Sequence, residues 1–485
     1  MRRNSKQEAA LGETSGEMLS DTGSIPVIST KFYGKLRTGA DQSTSTVSGF
    51  SGAVFYNFTA NAERINCMSV FDRMLESENI EAFLESVERG RKMHSDELEN
   101  CKVYLRSEEF RENVMSLKSG DYYFNAPQKR FMRKQYNTKL RTLYLFEEKD
   151  RFLMRYMCVF LHQYDNRFSD SLISFCKNKN IIKEVHVINR AYDYSSDYVT
   201  HLDVSSYGMS IDPAKLVSSL EKIVDDAELM NFFRWILMRR EAIIDDELCD
   251  DNTGSLPGTG IHSFFLNVYL AETDFKYEKL TKEYARYADD VFMLFDDEET
   301  AESVTTEFID DLNDLGLSVN FEKTGIVPPG ESFSFLGYLF TGDGNLDIAP
   351  STLKKMKRKI KIKGRRYKRL AERGVFTREE ALEKYYHTVN RIFYGGENDS
   401  ENSISYSERY FPTITTSTSL NALDKYVQQY ARYICFGGFA RTNYRMDYGR
   451  LKSYGHRSLV RAYYDYRQNG VKTWERKQKT KEGHC

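Results

Sequence analysis

Asp289 and Asp290 stand side by side between two apolar and aromatic runs, Tyr284 to Tyr287 and Val291 to Phe295. This pattern predicts strand, turn, strand. Two adjacent carboxylates at a hairpin tip repel each other. Either both face water, or a divalent cation removes the repulsion and takes their hard oxygens as ligands. Asp203 ends another β-prone run, residues 199–205, and a carboxylate there, taken alone, is more often a helix cap or turn former. A strand-end Asp and a hairpin-tip pair converge when their strands are neighbours in one sheet. Three such carboxylates would hold two Mg2+ ions (Mn2+ could substitute) about 3.5–4 Å apart, one activating a hydroxyl and the other steadying the leaving group. Phosphoryl transfer of this kind needs positioning and charge neutralisation, and no nucleophilic Ser or Cys.

The elements that must position these residues can be read from periodicity. Residues 1–50 are rich in Ser, Thr, Gly and charge and read as a flexible arm. Residues 51–198 read as an N-terminal helical region. Within them 139–147 has the character of a strand, followed by a helix over 149–163. Residues 199–348 hold the carboxylates. Asp212 and Pro213 announce a helix start as N-cap and first helical residue. Residues 241–251 carry six carboxylates in eleven positions and no Lys or Arg, which predicts a solvated loop or helix end. A Gly/Pro turn region over 254–260 precedes a helix to about Asp274. An acidic amphipathic helix is expected over 299–315, and short β segments over 317–321 and 333–340. Residues 349–485 read as a basic helical region, with eleven Lys or Arg in the sixteen positions 354–369.

Composition narrows the class. The 485 residues carry a net charge of −2, so bulk charge alone announces no nucleic-acid partner. The 33 Tyr, against 2 Trp, are either base-stacking surfaces or a tyrosine-rich core. Seven scattered Cys form no CxxC pair, which indicates neither a zinc site nor a disulfide framework and fits a reducing cytoplasm. The longest apolar stretch, Gly260 to Ala271, is too short and interrupted to span a bilayer.

Five ordered elements carry a family resemblance. Tyr287-Ala288-Asp289-Asp290 resembles the YxDD signature of reverse transcriptases. Asp203-Val204-Ser205-Ser206-Tyr207 resembles their upstream catalytic Asp motif. Leu256-Pro257-Gly258 is similar to their LPxG turn, Asn320-Phe321-Glu322-Lys323-Thr324 to the LNxxKT element, and Phe335-Leu336-Gly337-Tyr338 to the FLG element. The resemblance implies an α+β, right-hand polymerase: fingers, a palm with an antiparallel sheet, and a helical thumb and C-terminal extension. It makes Asp203, Asp289 and Asp290 the catalytic metal ligands, assisted by the Val204 carbonyl. Arg141, with Lys139, would grip the incoming triphosphate. Pro257 and Gly258 would shape the turn near template and nucleotide, and Lys323 would balance the carboxylates. Two departures stand out. Where the family carries an aromatic residue under the sugar that excludes a 2′-hydroxyl, this chain has Gly208, with Tyr207 just before it. The Leu-Pro element reads Leu256-Pro257-Gly258-Thr259-Gly260. After such a palm, the basic run 354–369 implies contacts to nucleic-acid phosphates, and the tyrosines of 426–467 either stack on bases or pack among themselves.

Within these residues no RNase H pattern, no His/Cys cluster and no retron-type element is found. The chain therefore resembles the bacterial abortive-infection and defence-associated reverse transcriptases of the unknown groups. Its closing stretch, Leu451 to Tyr464, points the same way, and the general pattern suggests the defence-associated kind called type nine. That resemblance implies antiphage defence, dNTP substrates, a DNA product, a noncoding RNA as template or scaffold, a homo-oligomer and no membrane. Two other readings stay open: an untemplated or protein-primed DNA polymerase making simple-sequence DNA, and an RNA-binding scaffold with a dormant palm.

Overall fold

The computed structural model describes residues 68–90, 93–133, 140–239, 241–251, 254–396 and 404–469. The expected arm 1–50 and Lys139 lie outside them. Eleven strands occur among the described residues: β1 (Gln128–Arg133), β2 (Leu140–Leu145), β3 (Tyr198–Asp203), β4 (Glu241–Ile244), β5 (Glu247–Asp250), β6 (Glu283–Tyr287), β7 (Asp290–Phe295), β8 (Gly325–Val327), β9 (Phe333–Phe335), β10 (Tyr338–Phe340) and β11 (Leu346–Ile348). Together with the helices they make an α+β chain divided into two compact units. Of the described residues, those within 68–164 and 208–269 belong to the first and those within 165–207 and 270–469 to the second.

In the first unit the strands form a sheet of order β2-β1-β4-β5. Its β1/β2 and β4/β5 pairs are antiparallel and β1/β4 is parallel. The acidic stretch 241–251, expected as a solvated loop or helix end, forms the β4–β5 hairpin instead. Asp245 and Asp246 both take positive φ, 49° and 67°. Short Asp side chains tolerate that backbone, and a two-residue turn of this kind matches strand twist. Glu241, Asp245, Asp246, Glu247 and Asp250 are exposed, while Ala242 is buried and the Asp251 side chain is covered and paired with Lys129 at 2.8 Å. Asp212 accepts from the Ala214 and Lys215 amides and starts the Pro213–Ile223 helix, as its spacing predicts. Asp226 caps the Ala227–Met238 helix and also accepts from the Val70 amide at 2.7 Å, tying that helix to the Val70–Met74 helix.

In the second unit a four-stranded sheet of order β6-β7-β3-β8 is antiparallel throughout. The Glu298–Asp314 helix lies on it, started by Asp297 accepting from the Thr300 amide. Its buried residues Ala301, Thr305, Phe308 and Leu312 recur at helical spacing, and the Thr305 hydroxyl meets that of Thr200 on β3 at 2.8 Å. Residues 317–321, expected as a β segment, contribute only the isolated bridge Val204–Val319. The Asn320 amide donates to the Asp203 carbonyl instead, and the Ser318 carbonyl accepts from the Ser205 amide at 2.7 Å. A second sheet, β11-β10-β9, follows. The helices Pro350–Glu372, Arg378–Tyr394 and Thr418–Phe436 share one apolar core with both sheets.

Candidate active site

β3 and β7 pair so that Asp203 is directly opposite Asp290. Opposed residues in an antiparallel pair share a face, with Cβ atoms about 4.5–5.5 Å apart. Tyr287 pairs with Asp290 across the turn, so Ala288 and Asp289 form its tip. Ala288 has φ 56°, which an alanine adopts only under constraint from its surroundings. The Val204 amide donates to the Asp289 carbonyl at 2.9 Å, locking the turn against the end of β3. All three carboxylates therefore occupy one corner of the sheet.

The 320–324 element wraps Asp203. The Asn320 amide donates to the Asp203 carbonyl at 2.8 Å, and its side-chain nitrogen reaches Asp203 Oδ2 at 3.3 Å. Lys323 Nζ lies 2.5 Å from Asp203 Oδ1. Lys323 is half exposed while the Asp203 side chain is largely covered. On the neighbouring carboxylate, His201 Nε2 stands 3.8 Å from Asp290 Oδ1.

Among the described residues no group of three His, Cys, Asp or Glu side chains is disposed to hold a metal ion by itself. The donor set nonetheless fits Mg2+. It is all hard oxygen, Asp289 is exposed, and Mg2+ usually takes one or two carboxylates and completes its shell with water and substrate phosphates.

Beneath the turn lies a pair that residue patterns did not single out. Arg286, on β6, has no exposed surface and holds Asp274 in a two-pronged grip, Nε to Oδ1 at 2.7 Å and Nη2 to Oδ2 at 2.6 Å. The Tyr284 hydroxyl donates to the same carboxylate at 2.9 Å. Burial opposes the charge on Arg286, and Asp274 more than restores it, so the guanidinium is held above its ordinary value. Its Nη1 reaches the Ala288 carbonyl at 3.3 Å, and the Ala288 amide donates to the Ser174 hydroxyl at 3.0 Å. An Arg inside an apolar strand requires a buried partner, and that was the available signal in the sequence.

The Phe335–Tyr338 element forms a tight turn between β9 and β10, with Leu336 at φ 52° and Gly337 at φ 85°. The Arg409 guanidinium donates to the Leu336 carbonyl at 2.9 Å, so a helix of the C-terminal region braces this turn. Tyr207 is buried in the same unit.

The remaining candidates belong to the first unit. Arg141 lies on β2, and the 256–260 turn docks on that strand: the Tyr144 amide donates to the Pro257 carbonyl at 2.7 Å. A Cβ on Gly258 would stand 3.3 Å from both Leu143 and the Tyr144 carbonyl. Gly208 has a clear steric reason. A Cβ there would come within 2.6 Å of the His262 ring and 3.6 Å of Pro257. Ser255 donates to the Gly208 carbonyl through its amide at 2.8 Å and its hydroxyl at 3.0 Å, and His262 Nδ1 lies 3.0 Å from the Ser255 carbonyl. Burial pushes His262 down to about 4; the Ser255 carbonyl opposes that shift and Arg141 adds to it. The imidazole is thus neutral near pH 7, and it occupies the volume that a side chain at 208 would fill. His262 was not among the residues picked out by motif.

On the Pro350–Glu372 helix, Met356, Ile360 and Gly364 are buried, one turn apart, against the Thr418–Phe436 helix; a Cβ at Gly364 would meet the Tyr430 ring at 2.5 Å. Lys354, Lys355, Arg358, Arg365, Arg366 and Arg369 are exposed. Other lysines lie over rings, Lys357 on Tyr426 at 5.8 Å and Lys368 on Tyr433 at 5.1 Å. Tyr430 and Tyr463 are buried. The tyrosines of this region thus pack chiefly within the helical core. Among the described residues no helix is long and apolar enough to cross a membrane.

Residues 132–340 match the family model described as "Reverse transcriptase (RNA-dependent DNA polymerase)". The segment contains every element from β2 to β10, including all three carboxylates. No curated protein matches the sequence significantly. Two solved structures of apo telomerase from Candida Tropicalis are similar. The form truncated from its C-terminal domain aligns at 13% identity over 47% of this chain and 55% of its own, with a TM-score of 0.39. The other aligns at 12% identity over 68% of this chain and 60% of its own, with a TM-score of 0.40. The chain thus spans little more than half of the telomerase chains it matches.

Proposed function

From the premise that residues 132–340 form a reverse transcriptase domain, the domain of an RNA-directed DNA polymerase and nucleotidyltransferase, we propose that the chain copies RNA into DNA, with Asp203, Asp289 and Asp290 as its metal ligands. The observation that carries this reading is the register of β3 and β7. It sets Asp203 against Asp290 with Asp289 on the adjoining turn, an arrangement that is electrostatically unfavourable unless cations fill it.

In this reading, two Mg2+ ions supply charge neutralisation and an activated hydroxyl when bound. The chain's own residues do the positioning. Asn320 and Lys323 orient the Asp203 carboxylate, and Lys323 lowers the negative potential into which a triphosphate must come. The Val204 amide holds the turn, and the Val204 carbonyl is a further oxygen donor. Arg141, whose planar fork suits phosphate oxygens, binds the triphosphate together with Lys139. Pro257 and Gly258 shape the template-side turn. The exposed face of the Pro350–Glu372 helix holds duplex phosphates as a thumb, after fingers over 51–198 and a palm over 199–348.

The biological setting belongs to the same proposal: antiphage defence in the bacterial cytoplasm, by a homo-oligomer carrying a noncoding RNA as template or scaffold. Its support is the motif set together with the character of residues 451–464. Purified protein with its co-purifying RNA, supplied with Mg2+ and each dNTP or NTP separately, should yield DNA whose sequence copies that RNA. The Asp289→Asn, Asp290→Asn double variant should yield none. DNA of simple sequence formed without RNA would replace this reading with untemplated or protein-primed synthesis. Undiminished phage resistance in the double variant would replace it with a scaffold.

A further inference from the structure

Arg286 is the largest fully buried side chain among the described residues, and Asp274 beside it is equally closed to solvent. A buried ion pair stabilises a fold poorly, because desolvation consumes most of the attraction; where one is kept, fixing a particular local geometry is its best-attested use. Here the geometry is specific. The guanidinium spends Nε and Nη2 on Asp274 and aims Nη1 at the carbonyl of Ala288, the left-handed residue just before Asp289. Its own main chain is pinned as well: the Arg286 amide donates to the Ser171 carbonyl at 3.0 Å, and its carbonyl accepts from the Ile173 amide at 2.9 Å. The Ser174 hydroxyl holds the Ala288 amide from the same segment. The tip carrying Asp289 is therefore held from beneath at both its peptide N–H and its C=O, while Asp289 itself is exposed.

We propose that Arg286 and Asp274 are positioning residues for the Ala288–Asp289 turn, setting the orientation in which Asp289 and Asp290 can bind a divalent cation together with Asp203. The inference rests on the metal-ligand role proposed above and adds the buried device that makes it possible. Neither residue touches substrate. Lysine at 286 keeps the charge but cannot reach Asp274 and Ala288 together, because it lacks the planar fork.

Mn2+ binding to the full chain, followed by loss of the free-ion electron paramagnetic resonance signal, is the test, with thermal unfolding run in parallel. Lys282→Met is the comparator. Lys282 sits at the far end of the same hairpin and pairs at 2.8 Å with Asp197, which is also buried, so its loss weakens the fold without touching the turn. Arg286→Lys should weaken Mn2+ binding about ten- to a hundredfold, the usual cost of losing a group that orients metal ligands, while Lys282→Met keeps wild-type affinity. If Arg286→Lys does not fold, Tyr284→Phe, which removes one donor to Asp274, should weaken binding by about two- to tenfold. Wild-type affinity in the folded Arg286→Lys variant, or in Tyr284→Phe where Arg286→Lys fails to fold, overturns the inference, as does equal weakening by Lys282→Met. Absence of Mn2+ binding by the wild-type chain, or binding unchanged in the Asp289→Asn, Asp290→Asn variant, overturns the metal-ligand reading itself and the inference with it.

Discussion

Asp203 and Asp290 are register partners across β3 and β7. Like charges placed directly opposite on one face of a sheet cost stability, and the cost is borne at the point where the Asp289 turn closes. Asp290→Asn should therefore raise thermal stability in metal-free buffer, by about 0.2–1 kcal/mol, while lowering nucleotide incorporation by about a hundredfold or more, as for loss of a preorganised electrostatic group. Melting curves in chelator alongside primer extension would show it. A drop in stability would mean that Asp290 is engaged structurally rather than reserved for a cation.

Gly208 and His262 should behave as a coupled pair. Gly208→Ala alone forces the imidazole aside and should cost about 1–3 kcal/mol, as overpacking does. His262→Ala opens the space, so the double variant should recover most of that loss, an interaction energy that a double-mutant cycle reads directly. If the imidazole substitutes for the missing aromatic residue at 208, His262→Ala should also raise the use of NTPs relative to dNTPs. Unchanged selectivity would place sugar discrimination elsewhere.

Glu184 provides a pH signature. Burial first, and the neighbouring Glu283 second, push it up to about 7 from an ordinary value of 4.5, against the pull of Lys179 and Lys183. A raised folded-state value favours the protonated acid. Its contribution to stability is thus complete below pH 4.5 and is lost as pH rises through 4.5 to about 7, amounting to about 2 kcal/mol after allowance for its partly exposed surface. Glu184→Gln should remove this slope and stabilise the chain at pH 8, as seen in denaturant midpoints across pH. A midpoint unaffected by the substitution at pH 8 would show that the carboxylate is solvated.

The exposed cations of the Pro350–Glu372 helix should govern nucleic-acid affinity without governing the fold. Arg365 and Arg366 lie off the buried stripe of Met356, Ile360 and Gly364. Arg365→Gln with Arg366→Gln should leave the melting temperature nearly unchanged and weaken duplex binding. Each lost phosphate contact should lower the slope of log affinity against log salt by about 0.7–0.9. An identical salt slope would remove this face from the nucleic-acid path.

The sequence by itself determined most of the elements that carry the three candidate carboxylates. Asp289-Asp290 between two apolar runs specifies a hairpin tip, because alternation and turn chemistry are local properties. The Asp212-Pro213 start and the helical period of 299–315 are legible for the same reason. The acidic composition of 241–251 suits a solvated loop, whereas a weak alternation and the two left-handed residues Asp245 and Asp246 make it a hairpin. What only the tertiary structure decided is partnership across sequence distance. The strand order that opposes Asp203 to Asp290, the grip of Asn320 and Lys323 on Asp203, the Arg286–Asp274 pair and the His262 ring beside Gly208 all join residues far apart or on different elements. No periodicity records such pairings. They arise when burial forces each polar group to find a partner and each close approach to find a residue small enough to allow it.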